Sequence, residues 1–206
     1  MIYAATYESP IGELFLAAED EVLIGLWIKG QKYFPTELFS EQVRMLHDHI
    51  PIGTITRDQP LLCGLEKEYK TDSAREDCEI LSRARTWLDQ YFAGERPWPG
   101  ILKLAPGRAP GILPVNSEFR QQVWKLLLEI PYGEVLTYGE LARRLAQRRG
   151  LSSMSAQAVG GAVGHNPLSI IIPCHRVVGA DGSLTGYAGG VEKKRWLLKL
   201  EGVLEE

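Results

Sequence analysis

The stretch Ser169–Gly179, SIIIPCHRVVG, constrains this chain more than any other. Three isoleucines and two valines bracket Pro173-Cys174-His175-Arg176, so reactive groups interrupt an apolar, β-branched run. A short run of that kind predicts a buried strand. Pro173 has no ladder donor and restricts the residue before it, so pairing is expected to stop or distort there. Cys174 then stands where a strand leaves the core, a place that holds a side chain rigidly at a pocket. Free cysteine is often only a small buried hydrophobe, and the stretch alone leaves that reading level with a functional thiol. The adjacent His175 and Arg176 favour the thiol, because a nearby base or cation raises the thiolate fraction. Neighbouring side chains of a strand point to opposite faces, so a water between Cys174 and His175 is expected rather than direct contact.

The chain has 206 residues, enough for one large domain or two small ones, and 45% hydrophobic with 24% charged residues fits a soluble globular protein. Met1-Ile2-Tyr3-Ala4-Ala5-Thr6 has no basic region or long apolar core, which argues against a signal peptide. No apolar run reaches membrane-spanning length. Cys63, Cys78 and Cys174 are odd in number and form no Cys-x-x-Cys pair. Neither a disulfide framework nor a zinc site is suggested, and a reducing cytoplasm fits. The net charge of −3 is unevenly spread. Residues 1–114 hold 12 Lys and Arg against 17 Asp and Glu, whereas within 137–176 five arginines face only Glu140. Any basic, DNA-facing patch is therefore local, and a solvated helix face explains the same arginines equally well.

Short apolar runs at Tyr3–Tyr7, Leu14–Ala18 and Val22–Trp27, separated by turn-rich or charged residues, predict antiparallel strands. Residues 31–50 are expected to be partly helical, and Pro51 to about Glu79 a polar loop or insertion. Ile80, Ala84, Trp87, Leu88, Tyr91 and Phe92 keep helical spacing, with Gly94 and Pro97 as the stop. Five prolines and four glycines in 94–114 mark a boundary near Pro114. The expected architecture is α+β: a small N-terminal domain with an antiparallel sheet (1–113), then a mostly helical domain (114–206). In the second domain Asn116-Ser117-Glu118 caps a helix with the apolar face Phe119, Val123, Trp124, Leu126, Leu127 and Ile130. Thr137-Tyr138-Gly139-Glu140 is a capping box that opens the next helix, which stops at Gly150. A short loop and a small-faced helix, 154–164, complete a helix-turn-helix. Its interior glycines cost about 1 kcal/mol each relative to alanine, so close backbone approach to another surface, or tight helix packing, should compensate. Leu184 to Gly190 reads as a glycine-rich loop without P-loop spacing. Val191 to Leu200 reads as a final helix whose Lys193 and Lys194 are, by default, solvated.

Together these residues resemble the O6-alkylguanine-DNA alkyltransferases. The most specific match is Pro173-Cys174-His175-Arg176-Val177, preceded by Ala158-Val159-Gly160-Gly161-Ala162 and Asn166-Pro167. It continues through Gly186-Tyr187, Gly189-Gly190, Lys194, Leu197-Leu198 and Glu201-Gly202, and covers roughly 114–203 in order and spacing. The first 113 residues match the family's variable N-terminal domain more weakly. The resemblance implies repair of duplex DNA containing O6-alkylguanine, with O4-alkylthymine a further candidate substrate. The damaged nucleotide is flipped out, and its alkyl group passes irreversibly to Cys174, once per molecule. It implies that His175 takes the thiol proton through a water while Glu201 orients the imidazole. Tyr138 rotates the phosphate or protonates the leaving purine, Lys194 assists, and Asn166 braces the site. It implies a substrate pocket of Tyr138, Val177, Tyr187, Ala188 and Gly189. Ala156, Gln157, Ala158, Gly160, Gly161 and Arg176 are implied at the DNA, with the small-faced helix in the minor groove. No metal, cofactor, membrane or obligatory protein partner is implied, and a monomer is expected.

Two other classes compete. One is a non-catalytic alkyltransferase-like lesion sensor, which this chain's retention of Cys174 disfavours. The other is a cysteine hydrolase using Cys174, His175 and Glu201, for which no distant His–Asn pair provides support. Two departures bear on the choice. Gln157 stands where many relatives have an arginine that fills the gap of the flipped base, which removes a cation near the phosphates. Ala188 stands where a serine hydroxyl often contacts O6. Gln157→Arg is expected to tighten binding to lesion-bearing duplex; unchanged affinity and transfer rate in that variant would overturn this reading of Gln157.

Overall fold

The computed structural model describes residues 2–35, 79–108 and 117–205. The expectations for most of 31–79, Cys63 and Cys78, and for the division near Pro114, lie outside those residues. Strands β1 (Ile2–Ser9), β2 (Gly12–Glu19) and β3 (Val22–Ile28) form an antiparallel meander in sequence order. Register shifts between Ala17 and Ala18, beside Gly25 of β3. Helix α1 (Glu79–Phe92) lays Ile80, Leu81, Ala84, Trp87, Leu88 and Tyr91 into the core on this sheet, the face its sequence spacing predicts.

The outer edge of β3 is not left open. Leu23 exchanges backbone hydrogen bonds with Lys103 and Ala105, both 2.8 Å. Leu26 does the same with Pro167 and Ser169, again at 2.8 Å. A bare strand edge is an unpaired ladder that invites association; here two later segments cover it. The Pro- and Gly-rich stretch expected to mark a boundary thus runs, at 103–105, along the sheet of the N-terminal half.

The second half is helical, as expected. Helix α2 (Glu118–Leu127) is capped by Ser117, whose side chain accepts from the Arg120 amide. Helix α3 (Tyr138–Arg148) opens on the Thr137/Glu140 capping box, with both reciprocal bonds formed. Helix α4 (Ala156–Gly164) follows after a short loop, capped by Ser155. The three pack on one another, and Trp124 of α2 donates its indole N–H to the Ala162 carbonyl at 3.0 Å. Helix α5 (Val191–Leu200) closes the chain. Two short strands, β4 (Leu136–Thr137) and β5 (Val177–Val178), pair in parallel between the helices. The α+β architecture with a helix-turn-helix is present.

The buried strand expected over 169–172 is corrected. Only Leu168 bridges to Leu26. Beyond it the chain folds back on itself: the Ile171 amide donates to the Ser169 carbonyl and the Ile172 amide to Leu168. Ile170 takes φ 70, a region that β-branched residues seldom enter. The isoleucines are buried as their composition demands, but in a turn, because the next β3 amide, at Ile28, donates to the Gln31 side chain instead. Pro173 leads into a single 3-10 turn, Cys174–Arg176, and only then does β5 begin.

Gly25 illustrates how tightly the sheet is filled. A Cβ there would lie 1.8 Å from the ring of the fully buried Trp27. Gly25→Ala is therefore expected to destabilise the fold by about 1–3 kcal/mol, the usual cost of overpacking, seen as a lower denaturant midpoint at unchanged slope.

Candidate active site

Cys174 is 4% exposed, at the start of the 3-10 turn that Pro173 forces. Asn166, just past α4, reaches its sulfur: Nδ2 lies 3.1 Å from Sγ and also donates to the Ile172 carbonyl at 2.8 Å. Its Oδ1 accepts from the Leu168 amide, so the whole amide group is fixed. Burial pushes the Cys174 thiol up, while the Asn166 contact and the charge of Lys194 act the other way.

His175 is fully buried, and its Nε2 lies 2.8 Å from Glu201 Oε1. An ionised carboxylate only accepts, so Nε2 carries the proton and Nδ1 is left with its lone pair. Nδ1 is buried and has no hydrogen-bond partner among the described residues. Burial holds the imidazole below its ordinary pKa against the pull of Glu201, so it is a neutral base near pH 7. Burial opposes ionisation of Glu201, but His175 and Arg176 outweigh it and bring the carboxyl down to about 2.

Lys194, read by default as a solvated lysine, has no exposed surface. Its ammonium donates to the carbonyls of Val177 and, at 3.0 Å, Thr185. Burial lowers its pKa to about 8, with Cys174 pulling back upward. The Thr185 carbonyl also accepts from the Tyr138 hydroxyl at 3.2 Å. One main-chain oxygen thus ties together α3, α5 and the glycine-rich loop. Burial, with a lesser part from Cys174, pushes the Tyr138 phenol up to about 12, so it stays protonated. Tyr187 also lies near Cys174, and its buried hydroxyl has no partner among the described residues. The Ala188 carbonyl accepts from the Lys32 amide, and a Cβ at Gly189 would lie 2.8 Å from Ile28. The glycine-rich loop therefore leans on the end of β3 and the turn after it.

On α4, Ala156, Gln157, Ala158 and Gly161 are exposed and Gly160 is half-buried, against the Tyr138 ring. A Cβ at Gly161 or Gly164 would meet nothing within 4 Å among the described residues, so packing against them does not require glycine at either. Arg176, which the resemblance implies at the DNA, has its guanidinium turned to partners within the protein. Its Nε and Nη2 donate to the two oxygens of Glu201 and its Nη1 to the Ile130 carbonyl, because a buried carboxylate needs a cation more than solvent does. Tyr91, which helical spacing marked only as a core position, donates to Glu201 at 2.7 Å. No sequence signal separates its hydroxyl from the ring's packing role. Among the described residues no three His, Cys, Asp or Glu side chains cluster to hold a metal.

Comparison with known proteins gives two family matches. Residues 118–203 match the 6-O-methylguanine DNA methyltransferase DNA-binding domain, and residues 2–104 match the same protein's ribonuclease-like domain. A methylated-DNA--protein-cysteine methyltransferase of Methanosarcina acetivorans is 37% identical, covering 98% of this chain and 99% of its own. The chain belongs to the 6-O-methylguanine DNA methyltransferase family. Another methyltransferase of that name, from Haemophilus influenzae, is 33% identical over 98% of this chain and 87% of its own. The crystal structure of the Mycobacterium tuberculosis O6-methylguanine methyltransferase superposes with a TM-score of 0.65 at 36% identity, covering 98% and 93% of the two chains. A further structure of that bacterium's enzyme, in complex with DNA, gives 0.64 over 96% and 91%.

Within this family member the glycine-rich loop is held at a backbone angle that suits glycine. Gly186 has φ +76, and a Cβ there would lie 2.6 Å from the Tyr138 hydroxyl. Gly186→Ala is expected to destabilise the fold by at least about 1 kcal/mol, the cost of a left-handed non-glycine residue. It should also slow alkyl transfer by displacing Tyr138; thermal melting and a single-turnover rate would check both.

Proposed function

We propose that this chain repairs duplex DNA directly by moving the alkyl group of O6-alkylguanine onto Cys174. The observation that supports this reading best is the arrangement of Cys174 with Asn166 on its sulfur, a neutral His175 beside it and a lysine cation nearby. Burial disfavours the free thiolate, so the proton must leave as attack begins. His175 Nδ1 takes it through a water, with Glu201 holding the tautomer that leaves Nδ1 free. Lys194 and the Asn166 amide stabilise the charge on sulfur.

Sulfur then attacks the alkyl carbon in line with the departing oxygen. The S–C bond forms as the C–O6 bond breaks, and the electron pair passes to the purine. The purine is restored by a proton passed through the Tyr138 hydroxyl, which is protonated at the outset; the phenolate regains a proton from solvent as the His175 imidazolium gives up the one taken from the thiol, so charge and protons balance. Lys194, tied to Tyr138 through the Thr185 carbonyl, assists. A thioether is left on the protein. His175 and its partners have no water-activating role on a thioether, so each molecule turns over once.

The exposed small face of α4, with Gln157 at its start, supports insertion into the narrow minor groove beside the flipped nucleotide. Val177, Tyr187, Ala188 and Gly189 line the base pocket. The proposal includes action as a monomer without an obligatory protein partner. No helix among the described residues is long and apolar enough to cross a membrane, and a thiol that must stay reduced fits the cytoplasm.

Intact-mass measurement after incubation with a duplex bearing O6-methylguanine tests the proposal. The expected result is a gain of one methyl on Cys174 that saturates at one equivalent, with none in Cys174→Ser and lesion binding largely kept. Duplex binding without mass gain would replace this reading with the lesion sensor, and repeated turnover on an ester or amide with the hydrolase.

A further inference from the structure

The buried carboxylate of Glu201 has a donor that the Cys174–His175–Glu201 scheme does not use. Oε1 accepts from His175 Nε2 at 2.8 Å, from Arg176 Nη2 at 2.9 Å and from the Tyr91 hydroxyl at 2.7 Å. The same hydroxyl lies 3.4 Å from His175 Nε2. Tyr91 belongs to α1, in the N-terminal half, and is 1% exposed. Its ring stacks on Trp87 and meets Phe92 and Tyr132 edge-on. Phenylalanine would make all of those contacts. The hydroxyl adds nothing to the packing and would be costly to bury unpaired; its partner is the carboxylate that orients the histidine.

We propose that Tyr91 is a positioning residue for alkyl transfer: its hydroxyl fixes Oε1 of Glu201, and through it the His175 imidazole, so that α1 of the N-terminal half completes the active site. The inference rests on the reading of Cys174, His175 and Glu201 given above. Its physical basis is a competition for one carboxylate. Arg176 grips both oxygens, and a bidentate guanidinium aligns a carboxylate to its own plane. Tyr91, anchored on a helix packed against the sheet, holds Oε1 in line with Nε2 against that pull. Its donation also spreads the carboxylate charge, which limits how strongly Glu201 favours a protonated imidazole.

Removing the hydroxyl should therefore do two things. The imidazole loses its fixed orientation, so transfer slows. Glu201, with one donor fewer, stabilises imidazolium better, so the His175 pKa rises and the acid limb of the rate profile moves to higher pH. The titratable or charged groups around His175 are Glu201, Arg176, Lys194, Tyr91, Tyr187 and Cys174. Only one of them changes in Tyr91→Phe.

The test is the single-turnover rate of methyl transfer from an O6-methylguanine duplex across pH, with duplex affinity and melting temperature measured alongside. Wild type, Tyr91→Phe, Tyr7→Phe and Glu201→Gln are compared. Tyr7 also donates a phenol to α1, but to the carboxylate of Asp89 in an exposed hydrogen bond and not to Glu201, so its variant should match wild type. Tyr91→Phe is expected to be roughly tenfold slower on the plateau, a fraction of the 10²–10⁴ that a general base supplies. Its acid limb should move up, with affinity unchanged. A slower rate with an unmoved limb would make the effect one of packing and overturn the proposal. So would wild-type rate and limb in Tyr91→Phe while Glu201→Gln is slow, which leaves the underlying scheme intact. Wild-type behaviour of Glu201→Gln would overturn that scheme and this inference with it.

Discussion

A buried carboxylate is the point on which this molecule turns. Taking Glu201 out of water costs several kcal/mol unless its oxygens are well paired. Four groups supply that pairing: His175, Arg176, the Tyr91 hydroxyl and, at 3.3 Å, the Gly133 amide. They come from the 3-10 turn, from α1 and from the loop after α2. The carboxylate itself stands at the C-terminal cap of α5. One charge thus fixes the mutual placement of four segments that are distant in sequence. The chemistry of the thiol inherits that rigidity, because His175 cannot rotate without unpairing the carboxylate.

The second joint is the edge of β3. Leu26 pairs with Pro167 and Ser169 immediately after Asn166, the residue on the sulfur. Gln31 accepts from the Ser169 hydroxyl at 3.0 Å and from the Ile28 amide at 2.8 Å, and Lys32 donates its amide to the pocket loop at Ala188. The N-terminal sheet is therefore a wall of the site. The thiol turn is clamped from one side by β3 and from the other by α5.

Much of this was readable from residue order. The three strands, α1, the Thr137 capping box and the small-faced α4 follow from periodicity and cap chemistry that act over a few residues. The Pro-Cys-His-Arg stretch pointed to Cys174, the nucleophile of the proposed reaction. What could not be read depended on partners far along the chain. The isoleucines at 170–172 look like a strand by composition, but a strand needs a ladder, and beyond the Leu26–Leu168 bridge the next β3 amide, at Ile28, donates to the Gln31 side chain instead. No spacing rule links Arg176 to Glu201, 25 residues on, whose two oxygens it grips. Lys194 looks solvated until the carbonyls of Val177 and Thr185 surround it. Tyr91 passes as one more aromatic on an apolar face, since spacing reports the ring and not the hydroxyl.

The distance between these partners along the chain also sets an order of events. Tyr91 and Glu201 are 110 residues apart, and closing a loop of that length must precede any reward from the contact. During synthesis Cys174 and His175 emerge well before Glu201 does. A nascent chain that has reached β5 holds the nucleophile and the imidazole but not the carboxylate that fixes the tautomer. Synthesis therefore supplies the thiol and the imidazole before the carboxylate that fixes the tautomer, and the arrangement can form only once α5 has been made.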